Sequence, residues 1–213
     1  MRKLITAAFV TLDGVMQAPG GPDEDPSGGF RYGGWVVPYA DPAIGRGTAE
    51  NSGRPYDLLL GRKTFDIFAA YWPHVDVDPA SSSFAAGMAE IADNFNRATK
   101  YVASRSRPAL AWRNSQWLGE DAVAAVRDLK RGDGPNLLTQ GSSDFVQTLL
   151  AADLIDELRL LIYPVTLGTG KRLFGTGTRP AAFTLTRSVA SPGGVLVATY
   201  ERAGEVRTGS FAL

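Results

Sequence analysis

A buried strand runs directly into a helix in the stretch Asp57-Leu58-Leu59-Leu60-Gly61-Arg62-Lys63-Thr64-Phe65. The short, continuous apolar run before Gly61 is typical of a strand that is buried on both faces. The helix is predicted over 64–72, because its apolar residues are spaced to lie on one face. A buried strand followed by an amphipathic helix is the repeating unit of proteins with a mainly parallel sheet.

The same pattern recurs along the chain. Further strands are predicted at 4–10, 100–103, 115–118, 136–140 and 156–165, and further helices at 41–51, 84–95, 121–130 and after Gly141. In the helix at 84–95, Met88, Ile91 and Phe95 are spaced for one face, and Ser142 or Ser143 can cap the helix after Gly141.

The last third of the chain changes character. Apolar and polar residues alternate over 183–189, a turn follows at 191–194, and a second strand is predicted at 195–200, which together indicate an antiparallel hairpin. We therefore predict one α/β domain over 1–203 and a C-terminal tail over 204–213. Its fold is predicted to be three layers, α/β/α, with a mostly parallel central sheet and an antiparallel C-terminal hairpin.

The composition excludes several classes of protein. The formal net charge is zero and 44% of residues are hydrophobic, which excludes a largely disordered chain and gives no global electrostatic attraction for nucleic acid or an anionic membrane. The absence of cysteine excludes disulfides, thiolate catalysis and cysteine-ligated metals. The one histidine, His74, lies in a loop-like stretch, so no metal site is expected.

No apolar run is long enough to span a membrane and no export signal is evident, so the cytoplasm is expected.

A long loop rich in Gly, Pro and Asp is predicted over 17–34. Loops of this length in compact domains are often functional lids, and the alternative is a disordered insertion.

Three strand ends carry residues that suit the binding of an anion. They are Gly61-Arg62-Lys63-Thr64, Ser104-Arg105-Ser106-Arg107 and Gly141-Ser142-Ser143-Asp144. Ligands of open α/β sheets gather at the carboxyl ends of the strands, where helix N-termini favour anions and glycine permits close approach to the backbone. The three junctions together indicate a ligand with several phosphates, and the alternative for each alone is ordinary helix capping. The segment 168–173 lacks the third glycine of the Rossmann fingerprint and also fails as a P-loop.

The order of these residues resembles the dihydrofolate reductase superfamily, and most closely the reductase domain of the bifunctional riboflavin-biosynthesis deaminase-reductase and its stand-alone relatives. The resemblance covers about Lys3 to Arg202. It is carried by Thr11-Leu12-Asp13-Gly14, Leu60-Gly61-Arg62-Lys63-Thr64-Phe65, Val102-Ala103-Ser104-Arg105, Leu138-Thr139-Gln140-Gly141-Ser142, Asp156-Glu157-Leu158-Arg159-Leu160 and Pro164-Val165-Thr166-Leu167-Gly168-Thr169-Gly170 with Leu173-Phe174.

The resemblance implies a dihydrofolate reductase-like fold and an NADPH-dependent reductase. By position it implies that Gly61, Arg62, Lys63 and Thr64 lie at the cofactor phosphates and that Ser104 and Arg105 lie near the adenosine 2′-phosphate. It likewise implies that Gly141, Ser142, Ser143 and Asp144 lie against the pyrophosphate and the nicotinamide side. The chain departs from the bifunctional protein because it lacks the zinc deaminase half, and because the loop over 17–34 is longer and richer in glycine than expected.

Three functions stay open at this point. The first is reduction of a small nitrogen heterocycle or ribosylaminopyrimidine, of the 5-amino-6-(5-phosphoribosylamino)uracil reductase type. The second is reduction of another small carbonyl or imine on the same fold. The third is nucleotide binding without turnover.

The expected substrate site needs a carboxylate to anchor or protonate a nitrogen heterocycle. Asp13 is the first candidate, ahead of Asp41 and Glu50, and its alternative role is an ordinary Asp-Gly turn. Stacking surfaces for a flat ring, or alternatively core packing, are expected from Trp35, Tyr39, Phe65, Phe68 and Trp72.

The chain is also expected to form a homodimer. The resemblance implies dimers, and the hairpin over 183–200 has Arg187 as its only charge, so its edge is poorly protected against pairing. The alternative is that helices of the same chain cover this part of the sheet.

Overall fold

A computed structural model describes residues 1–40, 44 and 55–211. The strands are β1 Leu4–Thr11, β2 Tyr56–Gly61, β3 Lys100–Ala103, β4 Ser115–Trp117, β5 Asn136–Gln140, β6 Glu157–Tyr163, β7 Ala182–Ala190 and β8 Leu196–Gly204. The α-helices bounded within the described residues are α1 Arg62–Tyr71, α2 Ala86–Arg97, α3 Ala122–Arg131 and α4 Ser143–Ala151.

All eight strands form one sheet in the order β4-β3-β2-β5-β1-β6-β8-β7. The strands from β4 to β6 in this order pair in parallel, whereas β8 runs antiparallel to both β6 and β7. The prediction of a mostly parallel sheet with an antiparallel C-terminal hairpin is therefore confirmed. The carboxyl ends of β1, β2, β3 and β5 all lie at one edge of the sheet, where parallel α/β proteins place their ligands.

Helices cover both faces of the parallel part of the sheet. On one face, α3 and α4 bury Val126 and Leu149 against strand residues such as Leu4 and Leu137. On the other face, α1 and α2 bury Phe65 and Phe95 against a second set of strand residues, among them Leu58, Leu60 and Leu138. Successive strand residues point to opposite faces, so runs such as Leu58-Leu59-Leu60 supply both cores at once. The three-layer prediction is confirmed.

The helix predicted at 84–95 begins and ends about two residues later, and its buried face differs from the prediction. Ala89, Ala92 and Phe95 are buried, whereas Ile91 is exposed. Two of the buried positions of α2 are alanine, so the spacing of the large apolar residues alone predicted the wrong buried face. At α3, Asp121 is the N-cap and accepts the Ala124 N–H at 2.9 Å.

The long loop after β1 packs against the sheet instead of projecting from it. Phe30 and Trp35 are buried in a third core with Leu161 and Tyr163 of β6. The indole N–H of Trp35 donates to the backbone oxygen of Gln17 at 2.8 Å. These contacts favour the ordered alternative for the loop over a disordered insertion.

Further predictions concern the helix at 41–51, the boundary of the domain, membrane spans and location in the cell. The helix predicted at 41–51 lies outside the described residues apart from Ile44, and the boundary between a domain over 1–203 and a tail over 204–213 stays a prediction. Within the described part of the chain, no helix is long and apolar enough to cross a membrane. Location in the cytoplasm stays a prediction.

Candidate functional site

A cleft with a volume of about 690 Å³ opens at the carboxyl ends of β1, β2, β3 and β5. All ten residues predicted at the cofactor lie in its wall, and they come from three separate strand ends: Gly61, Arg62, Lys63, Thr64, Ser104, Arg105, Gly141, Ser142, Ser143 and Asp144. We call this part of the cleft the phosphate end. The structure thus brings the three junctions together, while the role of each residue in binding stays a prediction.

The turns after β2 and β5 pack directly on each other. A Cβ atom on Gly61 would lie 2.5 Å from Ser142 Cβ and closer still to its hydroxyl, so only glycine fits there. The Ser142 hydroxyl donates to Thr64 Oγ1 at 2.6 Å and ties the two turns together. Ser142 occupies the N-cap position of α4, as predicted, but its side chain makes no capping hydrogen bond and its hydroxyl donates to Thr64 instead.

Two successive residues at this turn have left-handed backbone conformations, with φ of 78° at Gly141 and 59° at Ser142. A Cβ on Gly141 would meet only Thr64 Oγ1, at 3.9 Å, so the backbone here is open to close approach from the cleft. Helices α1 and α4 begin beside this turn, and the free N–H groups of their first turns favour an anion.

The cations at the phosphate end differ in their partners. Arg62 is already engaged, since its Nε lies 2.8 Å from both carboxylate oxygens of Asp66. Lys63 and Arg105 are exposed and form no ion pair with any other described residue. These two cations are therefore available to an anionic ligand. Glu120 also lies in the wall and adds a carboxylate to this end.

The other end of the cleft, which we call the loop end, is lined by Gln17, Glu24, Asp25 and Lys171. The Lys171 ammonium donates to Asp25 Oδ2 at 2.7 Å, and the Lys171 N–H donates to Gln17 Oε1 at 3.0 Å. The Gln17 amide in turn donates to the backbone oxygens of Asp25 and Ser27, both at 2.9 Å. Gln17 is buried, so these bonds fix the loop onto the segment around Lys171.

The pKa values of the two carboxyl groups of the loop end are shifted in opposite directions. Burial raises the pKa of Glu24, against the opposing effect of the N–H groups of Gly20 and Gly21. Burial also acts to raise the pKa of Asp25, but the hydrogen bonds from Lys171 and Ser27 outweigh it and leave that pKa lowered. Asp25 is thus held as an anion by a cation, whereas Glu24 retains its proton to higher pH than an ordinary glutamate.

Residues of β1 form the floor of the cleft between its two ends. Ala7 is small, and Phe9 is 39% exposed, with its ring packed edge-on against Tyr163 at 6.0 Å between centroids. Of the five aromatic residues expected to offer stacking surfaces, Phe68 lines the cleft. The other four pack away from its wall: Trp35 and Tyr39 against Tyr163, Phe65 against Trp112, and Trp72 against Phe95.

The structure places Asp13 outside the wall of the cleft. Its carboxylate accepts hydrogen bonds from the Thr11 hydroxyl at 2.5 Å and from the N–H groups of Leu167 and Gly168 at 3.2 and 2.8 Å. The Thr11 bond is the largest cause of a lowered pKa at Asp13. These contacts close the turn between β1 and the segment after β6, and a catalytic role for Asp13 stays a prediction. Asp41 and Glu50 lie outside the described residues.

Sequence reasoning missed Glu24, Gln17 and Lys171. The run Asp23-Glu24-Asp25 inside a Gly-rich loop was a visible signal, since three acidic residues there suggest a local role. No local pattern links this run to Lys171, which is 146 residues away from Asp25. Among the described residues, no group of three or more His, Asp or Glu side chains is arranged to hold a metal ion.

Comparison with known proteins agrees with this architecture. The family model described as the RibD C-terminal domain matches residues 2–197. The protein YyaP of Bacillus subtilis (strain 168), described as uncharacterized, is 28% identical over 173 residues, which are 81% of this chain and 80% of that protein.

Three solved structures have the same fold. A putative riboflavin biosynthesis protein from Shewanella sp. PV-4 is 19% identical with a TM-score of 0.56, covering 94% of this chain and 99% of that one. Dihydrofolate reductase from Enterococcus faecalis, complexed with NADP(H) and RAB-propyl, is 15% identical with a TM-score of 0.55, covering 94% and 96%.

The third is the deaminase/5-amino-6-(5-phosphoribosylamino)uracil reductase of Thermotoga maritima, which is 15% identical with a TM-score of 0.57. The likeness covers 95% of this chain but only 57% of that one. The family model covers nearly the whole length of the sheet and its helices, and the solved structures share the dihydrofolate reductase-like fold, as the sequence resemblance implied. The chain belongs to the RibD C-terminal domain family, a reductase-type family.

Proposed function

We propose that this protein is an NADPH-dependent oxidoreductase that reduces a small nitrogen-containing substrate. The observation that carries the proposal is the convergence of three strand ends on one cleft, with two unpaired cations and two helix N-termini in its wall. This donor set suits a dinucleotide with three phosphate groups.

The residues of the phosphate end fit such a cofactor. The backbone at Gly141 is open to a pyrophosphate, because among the described residues beyond its two chain neighbours the one atom within 4 Å of the position a Cβ would take is Thr64 Oγ1. Lys63 and Arg105 would hold phosphate charge, and Thr64, Ser104 and Ser143 would donate hydrogen bonds. A bound reduced nicotinamide supplies hydride, so the chain itself needs no nucleophile. Its residues would bind and orient the cofactor and the substrate, and they would exclude water from the site.

The preferred substrate class has a C=N bond, as in a nitrogen heterocycle or a ribosylaminopyrimidine opened to its imine. Support comes from membership of the RibD C-terminal domain family and from the uracil reductase named among the structural neighbours. The alternatives are another small carbonyl or imine compound, and nucleotide binding without turnover.

Titration with NADPH and with NADH, followed by the fluorescence of the reduced nicotinamide, tests cofactor binding. We expect tighter binding of NADPH. Oxidation of NADPH across a panel of imines, dihydropterins and carbonyl compounds then distinguishes the substrate classes. Tight binding without turnover of any of them would favour the non-catalytic alternative, and the absence of binding would overturn the proposal.

We also propose that the chain forms a homodimer through its C-terminal sheet. Strand β7 is an edge strand, and Leu185 and Val189 on it are exposed. Pairing with a second copy would cover both the edge and these side chains. Light scattering at micromolar concentration should give about twice the 22.7 kDa of one chain. A single-chain mass that does not change on concentrating the sample would rule the dimer out.

A further inference from the structure

The cationic side chains of the cleft wall are unevenly distributed. In the part of the chain that the structure describes, four of them line the cleft: Arg62, Lys63, Arg105 and Lys171. The first three lie at the phosphate end, and Lys171 lies at the loop end. Its ammonium is 2.7 Å from Asp25 Oδ2, so this charge is already neutralised. The described residues therefore give the loop end no free cation.

A second carboxyl group adds to this imbalance. Glu24 also lines the loop end, where its Oε2 accepts the Gly20 N–H at 2.6 Å. Among residues 1–40, 44 and 55–211, no cationic side chain pairs with Glu24. The nearby Arg172 lies outside the cleft wall and is engaged by the backbone oxygen and the carboxylate of Asp13. The described loop end thus has two carboxyl groups and one cation.

The stretch of the cleft between its two ends is apolar. It is lined by Ala7, Phe9, Met16, Ile67, Phe68 and Leu161. Phe9 and Ile67 are large apolar side chains, yet they are 39% and 40% exposed, as is typical of a surface that a ligand covers. Helix α1 begins at the phosphate end, and Ile67 and Phe68 lie roughly 8–9 Å further along its axis. An apolar stretch with aromatic side chains, next to a few polar groups, suits a flat ring.

We propose that the substrate is a flat ring compound without a phosphate group, that is, a free heterocycle or a nucleoside and not a phosphate ester. This inference rests on the proposed function and narrows its substrate class. A ring in the apolar stretch would lie next to the cofactor and direct its substituent to the loop end. Hydroxyl and amino substituents can donate hydrogen bonds to the carboxyl groups of Glu24 and Asp25.

A phosphate group at the loop end would be unfavourable for two reasons. It would lose part of its hydration without a free cation among the described residues to replace it, and it would lie close to the carboxyl groups of Glu24 and Asp25. The free cations Lys63 and Arg105 lie at the other end, where the phosphates of a bound dinucleotide would occupy them. The cleft therefore favours phosphate groups on the cofactor and disfavours them on the substrate.

Two matched pairs of compounds test the proposal on the wild-type protein. One pair is 5-amino-6-(5-phosphoribosylamino)uracil and its nucleoside, and the other is 7,8-dihydroneopterin 3′-phosphate and 7,8-dihydroneopterin. The members of each pair differ only by the phosphate group. Their affinities are measured by anaerobic calorimetry on protein saturated with NADP⁺, so that no turnover occurs. We expect at least one pair to bind, with the phosphate-free member bound about 10-fold tighter or more, because like charges in an interface are costly.

Charge variants place this discrimination at the loop end. Glu24→Lys adds a cation to the cleft wall, and it should reduce the preference for the phosphate-free member by about 10-fold. Asp23→Lys is the matched control, because it makes the same change of charge at a neighbouring residue that is exposed and does not line the cleft. It should leave the preference nearly unchanged. Glu24→Gln, which keeps an acceptor for the Gly20 N–H, should reduce the preference a few-fold and serves if the lysine variant disturbs the loop.

The outcomes separate this inference from the proposed function. Protein that binds neither NADP⁺ nor NADPH would overturn the proposed function, and this inference with it. Protein that binds the cofactor but prefers the phosphorylated members, or binds both members equally, would overturn only the inference. Failure of all four compounds to bind would overturn the assignment to a flat ring. An equal change in Glu24→Lys and Asp23→Lys would also overturn it, because the overall charge and not the loop end would then decide.

Discussion

The two ends of the cleft are built in different ways. The phosphate end comes from three short turns, each of which follows a strand directly, and its two available cations are unpaired among the described residues. The loop end comes from a long loop that is fixed by hydrogen bonds to a segment about 150 residues away, and its cation, Lys171, is paired with Asp25.

This difference indicates what each end can bind. Unpaired cations next to helix N-termini suit an anion. The cation of the loop end is already engaged by Asp25, so this end offers less free positive charge to an anion. The cleft is thus electrostatically divided along its length, and variants at each end test the division separately.

The largest expected effect is at the turn after β5. Gly141→Val should abolish measurable NADPH binding, a loss of about 100-fold or more, which corresponds to about 3 kcal/mol or more. The valine side chain would stand in the open space that the cofactor backbone contact requires, and its positive φ would add strain of about 1–2 kcal/mol. Titration with NADPH measures the loss.

Gly177→Val is the matched control. Gly177 also has a positive φ, of 90°, and does not line the cleft. In the described part of the chain, no atom beyond its two chain neighbours lies within 4 Å of its Cβ position. The two variants should lose similar thermal stability and differ only in binding. Retained NADPH affinity in Gly141→Val would show that this glycine serves only the geometry of the turn.

The contrast between the two ends also explains what could be predicted from the sequence. The strands and the phosphate end follow from local signals: an apolar run, then a glycine, then a polar helix start. The Gly61–Ser142 contact could not be foreseen, because it depends on how close two turns come in space. At the loop end, the place of Glu24 could not be predicted, because it depends on long-range bonds through Gln17 and Lys171.

Arg105→Ala tests the charge of the phosphate end. It should weaken NADPH binding by about 1–3 kcal/mol, the scale for a charge-assisted contact, and leave NADH binding nearly unchanged. Arg107→Ala is the control, since Arg107 lies on the same segment but not in the cleft wall. Equal losses for NADPH and NADH in Arg105→Ala would contradict its placement near the third phosphate.

Asp25→Asn tests the ion pair that fixes the loop end. Both partners are largely buried, with 29% and 22% of the Lys171 and Asp25 side chains exposed, so its loss should cost about 1–2 kcal/mol of unfolding free energy. We expect KM for the substrate to rise several-fold while NADPH affinity is unchanged. A parallel loss of cofactor affinity would show that the two ends are coupled.

The pH dependence of stability gives an independent check on the same pair. The pKa of Asp25 is lowered in the folded state, so its contribution is fully present above the pKa of an unfolded aspartate. It is lost as pH falls through the lowered, folded-state pKa. Denaturant unfolding of the wild type and Asp25→Asn should therefore differ at neutral pH and converge in acid. A constant difference across pH would mean that the ion pair is not what stabilises the loop.

The smallest expected effect concerns the carboxylate at the phosphate end. Glu120 lines the cleft together with Ser104 and Arg105, where a negative charge opposes the binding of a third phosphate. Because Glu120 is exposed, solvent screens this repulsion, and Glu120→Gln should tighten NADPH binding by only a few-fold, or about 0.5–1 kcal/mol. NADH, which lacks that phosphate, should gain less, and the gain for NADPH should shrink as salt is added. Weaker binding of both cofactors in Glu120→Gln would contradict this prediction. It would mean that Glu120 accepts hydrogen bonds from the ribose hydroxyls. The phosphate end would then favour a dinucleotide without the third phosphate.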